Sequence, residues 1–177
     1  MTASTCRLEP YGPEDAEAVY AAVRESMAEL SVWMPWCHAG YAIADAREWT
    51  ASRPAMAAQG REYDFAIVDV EGRFLGGCGL NQINHAHGFA NLGYWVRTGA
   101  AGRGIATAAA RRLADWAFRN TGLVRLEIVC AAGNERSQRV AERAGATREG
   151  LLHDRLLIHG RPHDAVMYGI TRARWRG

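Results

Sequence analysis

Residues 92–120 constrain this chain more than any other stretch. They read LGYWV, RTGAAGRGIAT and AAARRLADWAFRN, an order that predicts a strand, a glycine-rich loop and an amphipathic helix. Leu92, Tyr94 and Val96 alternate with Gly93, Trp95 and Arg97, and aromatic and β-branched residues suit a pleated strand. Gly99, Gly102 and Gly104 follow, and Ile105, Ala109, Leu113, Trp116 and Ala117 then fall on one helical stripe. A glycine loop that runs into a helix start turns several backbone N–H groups toward one spot, where the positive end of the helix dipole adds to them. A Cβ there would obstruct a positive-φ turn or the close approach of a ligand. The expected occupant is a phosphate or pyrophosphate.

At 177 residues the chain has the length of one domain with a sizeable core, expected to span 1–177, with two small domains as the alternative. A formal net charge of +2 is too small to imply a nucleic-acid partner. The basic residues are arginines, a bias of composition, and the C-terminal TRARWRG reads as a solvated end. Cys6, Cys37, Cys78 and Cys130 are scattered, and the adjacent Cys37 and His38 suit neither a zinc site nor a disulfide framework. All four are expected to be reduced thiols. The opening MTASTCRLEP lacks the layout of a signal peptide, and no apolar run is long enough to span a bilayer. A soluble, cytoplasmic protein without a membrane partner is the expectation.

In chain order, residues 6–9 read as a short strand ended by Pro10-Tyr11-Gly12. Pro13-Glu14-Asp15 opens a helix, with proline in its first turn and acids where the dipole favours them. Its stripe is Ala16, Val19, Tyr20, Val23, Met27 and Leu30. Pro35 stops it, leaving Trp33 and Trp36 on a loop as a hydrophobic plug or one wall of a binding cleft. A second helix is predicted from Ile43 or Asp45 to about Gln59, with Trp49 and Met56 inward. Residues 63–70 and 73–80 form a hairpin about Glu71-Gly72, with a bulge or close backbone contact expected at Gly76, Gly77 and Gly79. Residues 81–88 form a polar connection in which His85 and His87 face solvent, and residues 89–96 return as the strand that leads into the glycine loop.

A further strand over residues 125–130 carries Glu127. Asn134 caps the next helix, whose stripe is Val140, Ala141 and Ala144 and whose left-handed stop is Gly145. Residues 147–170 read as two strands around His159-Gly160-Arg161-Pro162. The chain is therefore α/β (α+β), with helices flanking a mixed, mostly antiparallel central sheet.

The run from Leu92 to Tyr168 resembles the GNAT acyltransferase superfamily, and within it the RimJ/RimL branch of protein N-terminal acetyltransferases. The matching pieces are LGYWV, GRGIAT opening a helix, NERSQRVAERAGATREG and HGRPHDAVMY, with LSVWMPW after the first helix. A lone glycine loop is weak evidence, whereas several motifs in order and at family spacing are strong. A dinucleotide-binding reading fails because these glycines lack its fingerprint and the next strand ends in Cys130-Ala131 without an acidic residue.

The resemblance implies a GNAT fold and acetyl-CoA as co-substrate, with no metal. It assigns the amides of Gly102, Arg103, Gly104, Ile105 and Ala106, with Thr107, to the pyrophosphate. The edge of the strand at Tyr94-Trp95-Val96 would pair with the pantetheine arm, and the backbone N–H near Val96 would donate to the carbonyl oxygen. Asn134 matches an asparagine that contacts the same arm, although helix capping explains it equally. Ser137 matches the serine that protonates the departing thiolate or binds it through water; a plain first-turn serine is the alternative.

The base is less defined. Some RimL-like enzymes carry a glutamate in the final strands, at a place that Leu156 takes here. Glu127 is the best remaining carboxylate, set against a plain salt bridge to Arg125 or Arg103. His153, Asp154 and Asp164 are other candidates, Asp164 fitting a structural hydrogen bond, and a water chain without a dedicated base is another route. Gly99 departs from the Gln or Arg of many relatives, which weakens the grip on the cofactor without abolishing it.

The resemblance thus implies an N-acetyltransferase acting on a protein or peptide α-amine, ribosomal proteins included. Trp33, Trp36 and the last hairpin would shape the acceptor cleft. Acetylation of a polyamine, amino acid or antibiotic is the enzymatic alternative. A non-catalytic acyl-CoA-binding module is the other, and RNA binding rests only on scattered arginines. Many such enzymes pair as homodimers, but no self-complementary surface is visible in the sequence.

Overall fold

The computed structural model describes residues 6–177. Residues 1–5, on which part of the signal-peptide reading rests, lie outside the described residues. Seven strands form one sheet in the order β1-β2-β3-β4-β5-β7-β6. Strands β1 (Arg7–Pro10), β2 (Tyr63–Val68), β3 (Phe74–Asn84) and β4 (Phe89–Val96) are successively antiparallel. Strand β5 (Arg125–Ala131) joins β4 in parallel, and the hairpin of β6 (Thr147–Ile158) and β7 (Arg161–Thr171) completes the sheet through β7. The mixed, mostly antiparallel α/β architecture is as expected.

Helices cover the two faces unequally. On one face, α4 (Ile105–Asn120) and α5 (Glu135–Arg143) bury Ile105, Ala109, Leu113, Ala117 and Ala141 against Leu80, Leu92, Leu126, Ile128 and Tyr168. The other face is covered over β2, β3 and β4 by α1 (Ala16–Glu25), α2 (Met27–Trp33) and α3 (Ile43–Ala58). Their core residues Val19, Val23, Leu30 and Ala46 meet Ala66, Val68, Phe74 and Trp95. Alternation along each strand supplies both faces at once.

Three elements differ from the sequence reading. The single first helix is in fact a 3-10 turn, Pro13–Asp15, followed by α1 and α2. The break falls at Ser26, which leaves helical geometry (φ −106°, ψ 11°) with its hydroxyl fully buried. That hydroxyl accepts a hydrogen bond from the Thr98 N–H at 2.9 Å, so the break anchors the loop after β4. The first hairpin has a wider turn than Glu71-Gly72 alone. Asp69 Oδ1 accepts from the N–H groups of Glu71 and Arg73, both at 2.9 Å, which draws Asp69 and Val70 out of the strand, and Gly72 takes φ +81°. Of the polar connection 81–88, half belongs to β3, where Asn91 Nδ2 donates to Asn81 Oδ1 at 2.9 Å. The bulge expected beside the β3 glycines is present opposite Ile67 and Val68, with Gly76 packed against the Trp95 backbone.

Ser26→Ala removes the acceptor of the part-buried Thr98 hydrogen bond, a loss of about 0.5–1.5 kcal/mol. Chemical denaturation is expected to show that loss, and the loop at Thr98 to become more susceptible to proteolysis.

Candidate active site

The site begins where a ladder stops. Strands β4 and β5 pair only over Phe89↔Arg125, Ala90↔Leu126 and Asn91↔Glu127. Beyond Asn91, β4 remains paired with β3, and β5 remains paired with β7 as far as Ala131. The two facing edges therefore diverge into a gap. The Arg97 N–H bonds to the Leu75 carbonyl at 2.8 Å on the β3 side. Strand alternation then turns the N–H groups of Val96 and Tyr94 toward the gap.

The glycine loop stands at the mouth of this gap. After a short turn at Thr98–Ala100, Gly102 (φ +76°) and Gly104 (φ +77°) both take the left-handed conformation. Built Cβ atoms at either meet nothing within 4 Å, so the backbone is open to a ligand. Gly104 caps α4 without a side-chain hydrogen bond, and no acidic residue occupies the first turn. The N–H groups of Ile105, Ala106 and Thr107 precede the first intrahelical donor, the Ala108 N–H, which bonds the Gly104 carbonyl at 3.0 Å, while the Ile105 side chain is buried. Residues 101–104 are exposed, Arg103 among them. This is the chemistry of an anion cradle.

Its base is fixed by α1 and α2. Glu25 bonds the Arg97 guanidinium and accepts from the Gly99 N–H at 2.8 Å, and Thr98 Oγ1 donates to Glu29 at 3.0 Å. The bond from Arg97, helped by the Gly99 N–H, holds the Glu25 carboxyl below its usual range. Gly99 thus has a local reason to lack a side chain, since a Cβ would lie 2.9 Å from the Glu25 carboxylate.

Ser137 lies across the gap on the α4–α5 face. Its hydroxyl is 3.2 Å from Tyr94 Oη of β4 and 3.2 Å from Cys130 Sγ of β5, while the Tyr94 hydroxyl donates to the Ser137 carbonyl at 2.9 Å. Burial raises both the Tyr94 phenol and the Cys130 thiol above their ordinary pKa values, so both enter this network as neutral groups. Asn134 caps α5 by accepting from the Ser137 N–H at 3.1 Å, which fixes the first turn that presents Ser137. Sequence reasoning placed Ser137 and Asn134 but missed Tyr94 and Cys130 as partners of that hydroxyl. Their side-chain parity on two strands was the available signal, and it required knowing that β4 and β5 are neighbours.

Glu127 points away from this network, on the opposite face of β5 from Cys130. It accepts from Arg125 Nε at 2.8 Å, and Arg125 also engages Glu149 at 2.5 Å, so the salt bridge named as its alternative is formed. His153 meets Asp164 at 3.1 Å, and the Asp154 N–H donates to Asp164 at 3.0 Å on the exposed last hairpin. Leu156, half-buried, supplies no acid there.

The two loop tryptophans separate. Trp33 packs over Gly133, beside Asn134 and Arg136, on a shallow groove of ≈440 Å³. Trp36 lines a separate, larger cavity of ≈740 Å³ under α1 and α3, with ring centroids 6.0 Å from Trp95 and 6.1 Å from Tyr41. Asp45, Glu48, Glu62 and Asp64 line that cavity together with Arg53. The gap edge of β4 connects this acidic cavity to the Ser137 network.

A model of the acetyltransferase (GNAT) domain matches residues 6–147. Over 107 residues the chain is 37% identical to the putative ribosomal N-acetyltransferase YdaF of Bacillus subtilis (strain 168), covering 60% of this chain and 58% of that protein. It is 28% identical over 100 residues to spermidine N(1)-acetyltransferase of Escherichia coli (strain K12), covering 56% of this chain and 54% of that protein. Both matches span less than two thirds of the relative's length. Among solved structures, Mycobacterium smegmatis RimJ in complex with CoA-disulfide superposes with a TM-score of 0.87 at 28% identity, covering 99% of this chain and 86% of that one.

Thr107→Asp tests the anion cradle through two opposed effects. An acid in the first turn of α4 stabilises the helix by about 0.3–1 kcal/mol, while repelling a pyrophosphate by enough to weaken its binding about tenfold or more. Thermal denaturation is expected to move up while calorimetric affinity for coenzyme A falls.

Proposed function

The chain belongs to the acetyltransferase (GNAT) domain family and is RimJ/RimL-like within it; on that premise we propose that it transfers an acetyl group from acetyl-CoA to the α-amine of a protein or peptide N-terminus. The observation that carries this reading is the early end of the β4–β5 ladder with the glycine turn at its mouth. One edge offers strand-like hydrogen bonds, and the adjoining turn offers an anion cradle.

Acetyl-CoA, when bound, supplies the acyl group activated as a thioester. The amides from Gly102 to Ala106, with Thr107, hold the pyrophosphate, and the gap edge of β4 pairs with the pantetheine amides as an added strand would. The Val96 N–H, turned into the gap, is the donor for the carbonyl oxygen on which charge develops. Ser137 supplies a proton to the leaving sulfur, its hydroxyl oriented by Tyr94 and Cys130. The acceptor amine approaches from the opposite face, through the cavity walled by Trp36, Tyr41 and Trp95.

A polyamine is the second reading. It is favoured by the four carboxylates Asp45, Glu48, Glu62 and Asp64 that line the cavity with Arg53, a lining that suits a polycation.

The test is thiol release from acetyl-CoA against N-terminal peptides and small amines, with binding followed in parallel. Peptide turnover is the expected result; turnover confined to polyamines selects the second reading, and binding without turnover leaves an acyl-CoA-binding module. Ser137→Ala is expected to lower kcat by about a hundredfold or more with little change in coenzyme A affinity.

A further inference from the structure

Asp64, Gly79 and Gly93 lie side by side across β2, β3 and β4, paired as Asp64↔Gly79 and Gly79↔Gly93. Directly paired residues share a face of the sheet, so the row faces the acidic cavity, which all three residues line. With strands about 4.8 Å apart, it runs about 10 Å from Asp64 to the edge of the gap. The two glycines leave that path free of side chains. The Asp64 carboxylate leans along it, because Oδ1 occupies the place that a Cβ on Gly79 would take.

The other oxygen is held. Arg53 Nη1 donates to Asp64 Oδ2 at 3.0 Å and to Glu62 at 2.5 Å, while its guanidinium lies 4.8 Å over the Trp49 ring. The Arg53 and Asp64 side chains are 11% and 14% exposed. One oxygen is thus locked by Arg53 and the other directed along the glycine row. Two carboxylates share one guanidinium, which leaves a net negative charge facing whatever enters. The Tyr11 hydroxyl, buried over Gly77 beside this row, has no hydrogen-bond partner among the described residues. A polar group brought to Gly77 satisfies it.

We propose that Asp64 is the general base of the acetyl transfer, accepting a proton from the acceptor ammonium above Gly79 and Gly93; this rests on the acetyltransferase reading above. The proton moves from nitrogen to Asp64 Oδ1, and the freed lone pair forms the C–N bond to the acyl carbon. The C–S bond breaks with its electron pair on sulfur, and the second proton lost by nitrogen ends on that sulfur through Ser137. Asp64 returns its proton to solvent through the cavity. Glu127 shares this face of the sheet across the gap on β5, where Arg125 Nε binds its carboxylate at 2.8 Å.

The groups facing Asp64 are Arg53 from α3, Glu62 just before β2 and Tyr11 after β1, while Cys78 of β3 is turned to the other face of the sheet. Burial raises the Asp64 pKa above its ordinary value, and the hydrogen bond and charge of Arg53 oppose that shift. The acceptor-dependent kcat/KM is therefore expected to fall on the acid side, as pH drops through this raised value and the carboxylate is protonated.

Asp64→Asn is expected to lower kcat by about a hundredfold or more and to remove the acid limb, with coenzyme A affinity and melting temperature maintained; Asp64→Glu is expected to restore part of the rate. Gly93→Ala is the independent variant, because its Cβ meets only Asn91 Nδ2, at 4.0 Å. It is expected to fold and bind coenzyme A normally while losing roughly a hundredfold in kcat/KM through misplacement of the amine. Wild-type turnover with an undiminished rate and an intact acid limb in Asp64→Asn overturns the assignment alone. If that variant does not fold, unaltered turnover in Gly93→Ala overturns it. Absence of turnover by the wild type with every amine overturns the acetyltransferase reading, and this assignment with it.

Discussion

The parallel contact between β4 and β5 lasts three residue pairs and then ends, and the rest of the molecule is arranged around that interruption. A continuous ladder would satisfy the backbone of both strands and seal one face of the sheet from the other. Because β4 is held on its far side by β3, and β5 by β7, the strands diverge without either losing its place in the sheet. The result is a rigid opening whose walls are main-chain edges. Such walls recognise a chain of amides independently of side chains, which is why so few side chains of β4 need be special.

Each flanking layer serves one end of this opening. On the α4–α5 face, the buried stripe of α4 fixes its N-terminus beside the gap, and α5 presents Ser137 from a turn capped by Asn134. On the other face, the break at Ser26 does two things. It redirects α2 over the sheet, and it places a hydroxyl against the Thr98 N–H, so that the loop after β4 is tied to the helices that wall the acidic cavity. The glycine turn and the acidic cavity are thereby parts of one mechanical unit.

Much of this was legible in the sequence, and the reasons are physical. The strand at Phe89–Val96, the helix at Ile105–Asn120 and the stop at Gly145 rest on local rules of alternation, helical periodicity and left-handed glycine, and all three stand at the expected positions. The left-handed glycine turn that opens α4 was legible for the same reason, since its amides are consecutive in the chain. What resisted reading depends on contacts between distant segments. Ser26 looked like a polar residue inside a helix until Thr98 was placed beside it. Trp33 and Trp36 were one aromatic pair in the sequence, yet they line separate cavities because α2 ends between them. Asp64 drew no notice as a single acid in an apolar strand, and it acquires meaning only when Gly79 and Gly93 are set next to it by registry. Glu127 attracted attention through its place before the asparagine motif, and its pairing with Arg125, which also holds Glu149, depended on the distant strand β6.

The proposed transfer requires coenzyme A to occupy the β4–β5 gap with its pyrophosphate on the amides that open α4. Hydrogen–deuterium exchange of the whole chain, with and without coenzyme A, tests this most directly. Slowed exchange is expected to concentrate at Tyr94 and Val96 on the gap edge and at residues 102–107. Binding that leaves both segments unprotected, or that protects the acidic cavity under α3 instead, would contradict it.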